Sequence, residues 1–491
     1  MSCHSFCEES GFSLKEIREV AAAGRLLTME VEFSQLCNFR CPYCYLDKHP
    51  EEELTSDESR DLILQGRELG VRTIIILGGE PMIYPRILEK IRFIRLLGMG
   101  VEMFTNGSNM TVENARELAA LDVKVVLKMN TMDPEKQNQL CGIPDAHRII
   151  QDAFKHLKLA GYGAGGKPMA VSSVITSDNL AELPGMWRWL RGQQIDPYFE
   201  MITPQGSAVE NDWLYVDSKQ VEKLFEEIRQ IDRTEFDRNW DAQPPLVGAT
   251  CLRHQFSCYV NAFGEVMPCV GVNLPVGNIR KNRLADILRD SEVIQDLRKY
   301  QTTIKGPCST CEKNEACYGC RGAAYQMTGD YLASDPLCWK SLDRQNEIDR
   351  LPMPVGDLIP QRAPMKMVDT LLSVGERTAE VETVIAKENP FLDANQTLEP
   401  AACMEIIAQA AAAHNGFRTR HLDVRPEGFL LGARQLKISG TARCGDRLRT
   451  TVYKEAKLGD FGVIKGAVFN GDRCIAEGEI KVFHKGQEVP S

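Results

Sequence analysis

The chain lacks any apolar run close to the ~20 residues that a helix needs to cross a bilayer. Its first residues, MSCHSFCEESGF, lack the basic and apolar stretches of a secretion signal. Both absences point to a cytoplasmic protein with no membrane span. A basic excess is also missing. The 58 Lys and Arg are outnumbered by 68 Asp and Glu, for a net charge of -10, which argues against nucleic-acid binding as the main task. A hydrophobic fraction of 43% and a charged fraction of 26% are ordinary for a globular chain. With 491 residues the chain exceeds one ordinary core, so about two to four domains are expected.

Cysteine is what the sequence has in excess, with 17 residues. Without an export signal, cysteines clustered at short spacings bind metal more often than they pair. Cys37, Cys41 and Cys44 stand at C-x3-C-x2-C in CNFRCPYC. That spacing wraps one loop around one iron–sulfur cluster and leaves one iron of a four-iron cluster without a protein ligand. An open position is where chemistry occurs at a metal. The alternative is a structural zinc knuckle with its fourth ligand elsewhere. Cys251, Cys258, Cys269, Cys308, Cys311, Cys317, Cys320 and Cys338 form a second group, enough for two fully ligated cubanes or for two zinc sites. The remaining six, Cys3, Cys7, Cys141, Cys403, Cys444 and Cys474, are scattered and read as small buried hydrophobes, although Cys3, His4 and Cys7 could together hold a metal.

From about residue 20 to 240 the pattern alternates between strand and helix. Strands are expected at 27–33, 71–77, 100–104, 123–128, 169–175 and 196–201, and helices at 56–69, 86–97, 111–121, 145–161 and 180–193. Such repeats build a parallel sheet, open or closed, whose ligand site lies at the C-terminal strand ends. The cysteine loop follows the first strand there. Gly78-Gly79-Glu80-Pro81 follows the second.

Together these motifs resemble the radical S-adenosylmethionine (SAM) superfamily, in which three cysteines follow the first barrel strand with an aromatic, here Tyr45, beside the last. The resemblance implies an α/β fold with a partial (β/α)6 barrel. It implies a SAM-binding 4Fe-4S cluster on Cys37, Cys41 and Cys44, and SAM held at Gly78, Gly79, Glu80 and Pro81. Thr105, Asn106 and Gly107 end the third strand and fall where relatives line that site, while Lys128 and Asn130 end the fourth strand and Ser172 and Ser173 sit in the fifth, each able by analogy to reach the SAM carboxylate or ribose. It also implies reductive SAM cleavage to a 5′-deoxyadenosyl radical, a reductant such as flavodoxin or ferredoxin, and hydrogen abstraction. Cys141, a tyrosine or an auxiliary cluster would quench the product radical.

Residues 241–345 resemble the SPASM extension of these enzymes, through Gly264-Glu265-Val266-Met267-Pro268-Cys269, Val276-Gly277-Asn278-Ile279 and Cys317-Tyr318-Gly319-Cys320-Arg321-Gly322. The family's interleaved ligation implies one auxiliary cluster on Cys251, Cys258, Cys269 and Cys320. The other falls on Cys308, Cys311, Cys317 and Cys338. About twelve irons per chain follow if all three sites hold four-iron clusters. Relatives often have a longer gap before the last loop cysteine. Val270 stands where formylglycine-forming relatives have aspartate, which disfavours that reaction.

After a linker at 346–354, residues 355–488 lose the cysteine clusters. PAACMEIIAQAAAA at 400–413 is an unusually apolar helix, which a sheet normally wraps. Strands are expected at 378–385, 428–439, 447–455, 461–469 and 473–484. LIPQRAPM with Val368-Asp369, PFLD, the Met404–Ala410 helix and Phe429-Leu430-Leu431-Gly432 resemble β-hydroxyacyl-carrier-protein dehydratases of the aryl-polyene type. An α+β hotdog fold and a homodimer through it are implied. Glu405 matches the catalytic acid of those enzymes, but no histidine lies between Asp369 and Glu405, and His414 is at the far end of the helix. The fusion suggests radical chemistry on an acyl-carrier-protein or acyl-thioester substrate. A peptide or protein maturase is the alternative, although no peptide-recognition wing is evident before the barrel. A scaffold with structural clusters is the non-catalytic reading.

Overall fold

Six hydrophobic runs, each too short for a helix and separated by helical segments, line up as one parallel sheet. The computed structural model describes residues 6–7, 12–46, 52–309, 311–342, 351–374, 377–418, 428–458 and 461–484. Cys3, His4 and the Cys7 side chain lie outside them. The chain divides into two compact units, 1–343 and 344–491.

In the first unit a short antiparallel pair, β1 (Phe6–Cys7) and β2 (Phe12–Ser13), precedes the main sheet. That sheet contains β3 (Thr28–Glu32), β4 (Thr73–Leu77), β5 (Gly100–Thr105), β6 (Val123–Lys128), β7 (Met169–Ile175) and β8 (Asp196–Met201) in sequence order. All five pairings are parallel. The outer side of β3 does not close onto β8. It takes β9 (Tyr259–Val260), followed by β10 (Glu265–Met267) and β11 (Gly277–Asn278), so the cysteine-rich region extends the same sheet to nine strands.

Several helices begin where a short polar side chain caps them, among them Ser13, Thr55, Thr111, Asp133 and Asp217. Thr55 and Glu58 form a reciprocal capping box that starts the Ser56–Glu68 helix. The helix Pro134–Cys141 was not anticipated, because PEKQNQLC has little apolar periodicity. Asp133 caps it, and Gln137 accepts the N–H groups of Asn130 and Thr131 at 2.8 and 3.1 Å. Among the described residues no helix is long and apolar enough to cross a membrane.

The second unit comprises β12 (Met353–Pro354), β13 (Thr370–Val374), β14 (Thr378–Val384), β15 (Gly428–Ile438), β16 (Arg447–Leu458), β17 (Phe461–Asn470) and β18 (Arg473–His484). They form an antiparallel sheet in the order β12-β13-β14-β16-β17-β18-β15. The apolar helix Ala402–Arg418 packs on one face of it. Ile406, Ile407 and Ala410 are buried against Val381, Leu448, Val468 and Ile480. Gly466 permits that approach: a Cβ there would sit 2.3 Å from Ile407 Cγ2. This is the sheet-wrapped helix of a hotdog domain.

Candidate active site

The cysteine loop is braced by its own strand and by the GGEP turn. The N–H groups of Gly79 and Glu80 donate to the carbonyls of Ser34 and Leu36 at 3.0 and 2.8 Å. A Cβ on Gly79 would lie 2.1 Å from the Leu36 carbonyl oxygen, and Gly78 has φ +113° with the Ser34 carbonyl 2.6 Å from its Cβ position. The glycines therefore admit the cysteine loop itself. Tyr45 donates from its hydroxyl to Glu32 at 3.1 Å and accepts the Gly78 N–H at 3.3 Å. Asn38 bonds Ser108 at 2.8 Å and Asn106 at 3.2 Å, and the Arg40 N–H donates to the Cys141 carbonyl at 3.0 Å.

Cys37, Cys41 and Cys44 open onto a cavity of about 330 Å³ at the C-terminal ends of the parallel strands. Gly78, Gly79, Thr105, Asn106, Lys128 and Ser172 line it too. Glu80, Pro81, Asn130 and Ser173 stand behind this wall. Glu80 is fully buried and accepts from the Thr105 hydroxyl at 2.6 Å, from the Asn106 N–H and from the Met82 N–H. Burial pushes its pKa up to about 7, against the pull of those three donors. Asn130 donates to Tyr43 Oη at 2.6 Å and accepts the Val174 N–H at 3.1 Å, while the Ser173 hydroxyl donates to the Met129 carbonyl. Lys128 reaches Ser172 at 3.3 Å and Glu200 at 4.0 Å, and burial lowers its pKa.

Cys251, Cys269 and Cys320 line the same cavity. Cys269 has Cys251 and Cys320 as charge neighbours, and burial drives the Cys269 thiol well up and that of Cys320 to about 12. Thiols held neutral in this way ionise when a metal supplies the compensating charge. Cys258, expected in the same group, is placed differently. It belongs to the hydrophobic core with Met29, Val31 and Val260 and does not line the cavity. Cys308, Cys311, Cys317 and Cys338 do neighbour one another. Among the described residues no three His, Cys, Asp or Glu side chains are gathered tightly enough for a single metal ion. In a cubane each thiolate binds a different iron, so its ligands stand farther apart.

In the second unit Glu405 is half-buried and accepts from Gln409 at 2.8 Å. The fully buried Gln409 also accepts the Met367 N–H and donates to the Met365 carbonyl, both at 2.7 Å. His414 lies more than two turns further along the helix.

Three family descriptions match successive parts of the chain: the radical SAM superfamily over 31–176, the iron–sulfur cluster-binding SPASM domain over 251–320, and the ApeP dehydratase over 353–489. This is a radical SAM–SPASM chain with an ApeP-like dehydratase domain. The AdoMet-dependent heme synthase of Methanosarcina barkeri is 26% identical, over 64% of this chain and 96% of that protein. The PqqA peptide cyclase of Streptomyces rochei is 27% identical, over 66% and 92%. Among solved structures, Streptococcus suis SuiB bound to the precursor peptide SuiA has a TM-score of 0.50 at 17% identity, over 64% of this chain and 76% of that one. AdoMet-bound anSMEcpe also has a TM-score of 0.50, at 16% identity, over 65% and 96%. Both neighbours support the radical SAM fold.

SAM and iron–sulfur clusters are the cofactors of such a chain. The residues present fit them: three cysteines on one braced loop, two glycines at the wall, and three further cysteines lining the same space. Tyr43, Tyr198, Glu200, Arg253 and His254 also line the cavity although nothing in the sequence singled them out, and so does Arg321, which entered only as part of the CYGCRG motif. Arg321 is 1% exposed, and its Nε and Nη2 have no hydrogen-bond partner. The available signals were proximity to the motifs: Tyr43 within CPYCY, His254 three residues after Cys251, Arg321 directly after Cys320.

Proposed function

We propose that this chain is a radical SAM oxidoreductase that abstracts hydrogen from a substrate held between the cysteine triad and the first auxiliary cysteine set. The carrying observation is that Cys37, Cys41 and Cys44 line one cavity together with Cys251, Cys269 and Cys320. SAM and a reduced cluster, when bound there, would supply the radical chemistry for hydrogen abstraction. Cys37, Cys41 and Cys44 would hold that cluster and leave one iron for SAM. The Gly78 and Gly79 carbonyls suit the SAM ammonium, and Asn106, Thr105 and Lys128 the carboxylate or ribose. Glu80, Asn130 and Ser173 position this wall from behind. Phe39, Leu77, Phe104, Val126 and Val174 exclude water. Cys308, Cys311, Cys317 and Cys338 would hold a second auxiliary cluster for electron transfer.

The ApeP-like domain favours an acyl thioester on a carrier protein as substrate, gripped by that domain rather than dehydrated, since Glu405 has no upstream histidine to share acid–base work. A homodimer through this domain, a flavodoxin or ferredoxin reductant and a cytoplasmic location complete the reading. The domain limits remain those of the sequence: 20–240, 241–345 and 355–488. Peptide modification is the second reading, favoured by the likeness to the PqqA peptide cyclase and to SuiB bound to its precursor peptide SuiA.

Anaerobic reconstitution followed by dithionite and SAM tests the core claim. 5′-Deoxyadenosine should form, and Cys37→Ala, Cys41→Ala and Cys44→Ala should each abolish it. A chain loaded with iron that makes none would overturn the claim. An acyl-pantetheine or acyl-carrier protein that fails to bind would remove the substrate assignment alone.

A further inference from the structure

We propose that His254 Nδ1, not the Cys258 thiolate, is the fourth protein ligand of the first auxiliary cluster, beside Cys251, Cys269 and Cys320. The proposal rests on the reading that these three cysteines hold an iron–sulfur cluster.

Strand parity removes Cys258. Tyr259 pairs with Glu30 in the β3–β9 register. Glu30 meets the cavity-lining Arg253, and Tyr259 bonds Glu32. Successive side chains alternate across a sheet. Cys258 thus falls on the face of Met29 and Val31, in the core and only 1% exposed. A thiol on the far side of a strand cannot reach a cluster on the near side without flipping the register.

His254 has the opposite placement. It is 3% exposed and lines the cavity with the three cysteines. Its ring bonds the backbone of Pro268, the residue before Cys269. A proline backbone offers only a carbonyl, so the imidazole must donate. Nδ1 is buried and has no hydrogen-bond partner, and a neutral ring with its proton on Nε2 would carry its lone pair there. A ligating histidine usually has this arrangement, one nitrogen fixed by a carbonyl and the other free for metal. The His254 N–H and Cys251 Sγ both meet the Tyr318 hydroxyl, at 3.4 and 3.8 Å, and Tyr318 is two residues from Cys320. Tyr318 thereby ties His254 to Cys251, in the cavity that Cys269 and Cys320 also line. A histidine buried only for packing would leave the Nδ1 lone pair desolvated and unmatched, which is costly.

The test uses the full chain with the triad cysteines replaced by alanine, reconstituted anaerobically and labelled with 15N-histidine. Pulsed EPR of the reduced protein should show a strongly coupled imidazole nitrogen. His254→Ala should lose it. His254→Cys should keep the iron, lose the nitrogen and lower the reduction potential, because thiolate adds negative charge where imidazole adds none. Cys258→Ala should keep both the iron content and the spectrum. Loss of about four irons on Cys258→Ala, or no nitrogen coupling in the parent, overturns the ligand assignment. A parent that holds only about four irons overturns the cluster reading itself, and this proposal with it.

Discussion

Tyr45 donates its phenolic hydrogen to Glu32 at 3.1 Å across the base of the cysteine loop. Glu32 ends β3 and Tyr45 directly follows Cys44, so the bond clasps the loop at both ends. The same oxygen accepts the Gly78 N–H, which links the clasp to the GGEP turn. Tyr45→Phe leaves a buried carboxylate and a buried amide short of one partner each. A loss of about 1–3 kcal/mol is expected, visible in denaturant unfolding, together with reduced iron retention by the triad.

Gly79 tests whether the turn serves the loop. The Cβ of Gly79→Ala would meet the backbone oxygen of Leu36, not a flexible side-chain end, so the loop must shift. Overpacking of this kind typically costs about 1–3 kcal/mol. Iron counting should show loss of the triad cluster alone, with the auxiliary iron retained. An alanine variant with full iron and full 5′-deoxyadenosine formation would contradict the brace.

Glu80 carries a pH signature. Its pKa stands near 7 in the folded chain against 4.5 for an ordinary glutamate, because burial disfavours the charge. Between those values the folded state binds more protons than the unfolded state, so stability falls as pH rises. The contribution is fully present below about 4.5 and lost above about 7, and the gap corresponds to about 3 kcal/mol. Without SAM, wild-type protein should therefore lose stability across this window relative to Glu80→Gln, which cannot titrate. Parallel pH profiles for the two would refute the assignment.

Runs such as Thr73–Leu77 and Met169–Ile175 were legible because continuous β-branched and apolar residues have few other uses. The cysteine loop and GGEP turn were legible because both sit at strand ends. Which strand-end residues face the cavity was not. Ser172 and Ser173 are neighbours in sequence, yet one lines the cavity and the other turns back to the Met129 carbonyl. The same parity separates Cys258 from Tyr259. Cysteine spacing carries no information about sheet face, and the extra pairing of β9 on β3 that fixes it is a long-range event. Gln137 and Gln409 escaped notice for a related reason. Each is a polar residue whose role is to satisfy distant backbone groups.

Gln409 offers a test confined to the second unit. Its amide accepts from Met367 and donates to Met365, and it also meets Glu405, so one buried side chain pins the segment ahead of β13 to the apolar helix. Gln409→Leu fills similar space but strands a donor and an acceptor in the core. The expected cost is about 2–4 kcal/mol, from two buried groups at about 1–2 each. Glu405→Gln keeps an oxygen for the Gln409 amide and should change stability by less than about 1 kcal/mol. Neither change touches the cysteine cavity, which lies in the other unit. Both variants should still form 5′-deoxyadenosine at the wild-type rate in the absence of substrate. If the ApeP-like domain grips an acyl thioester, Gln409→Leu should weaken acyl-pantetheine binding as the domain loosens, measured by titration against the wild type. Glu405→Gln should retain binding, since the gripping role asks no proton transfer of that carboxyl group. A Glu405→Gln variant that loses a measurable hydroxyacyl dehydration present in the wild type would instead make Glu405 a catalytic acid.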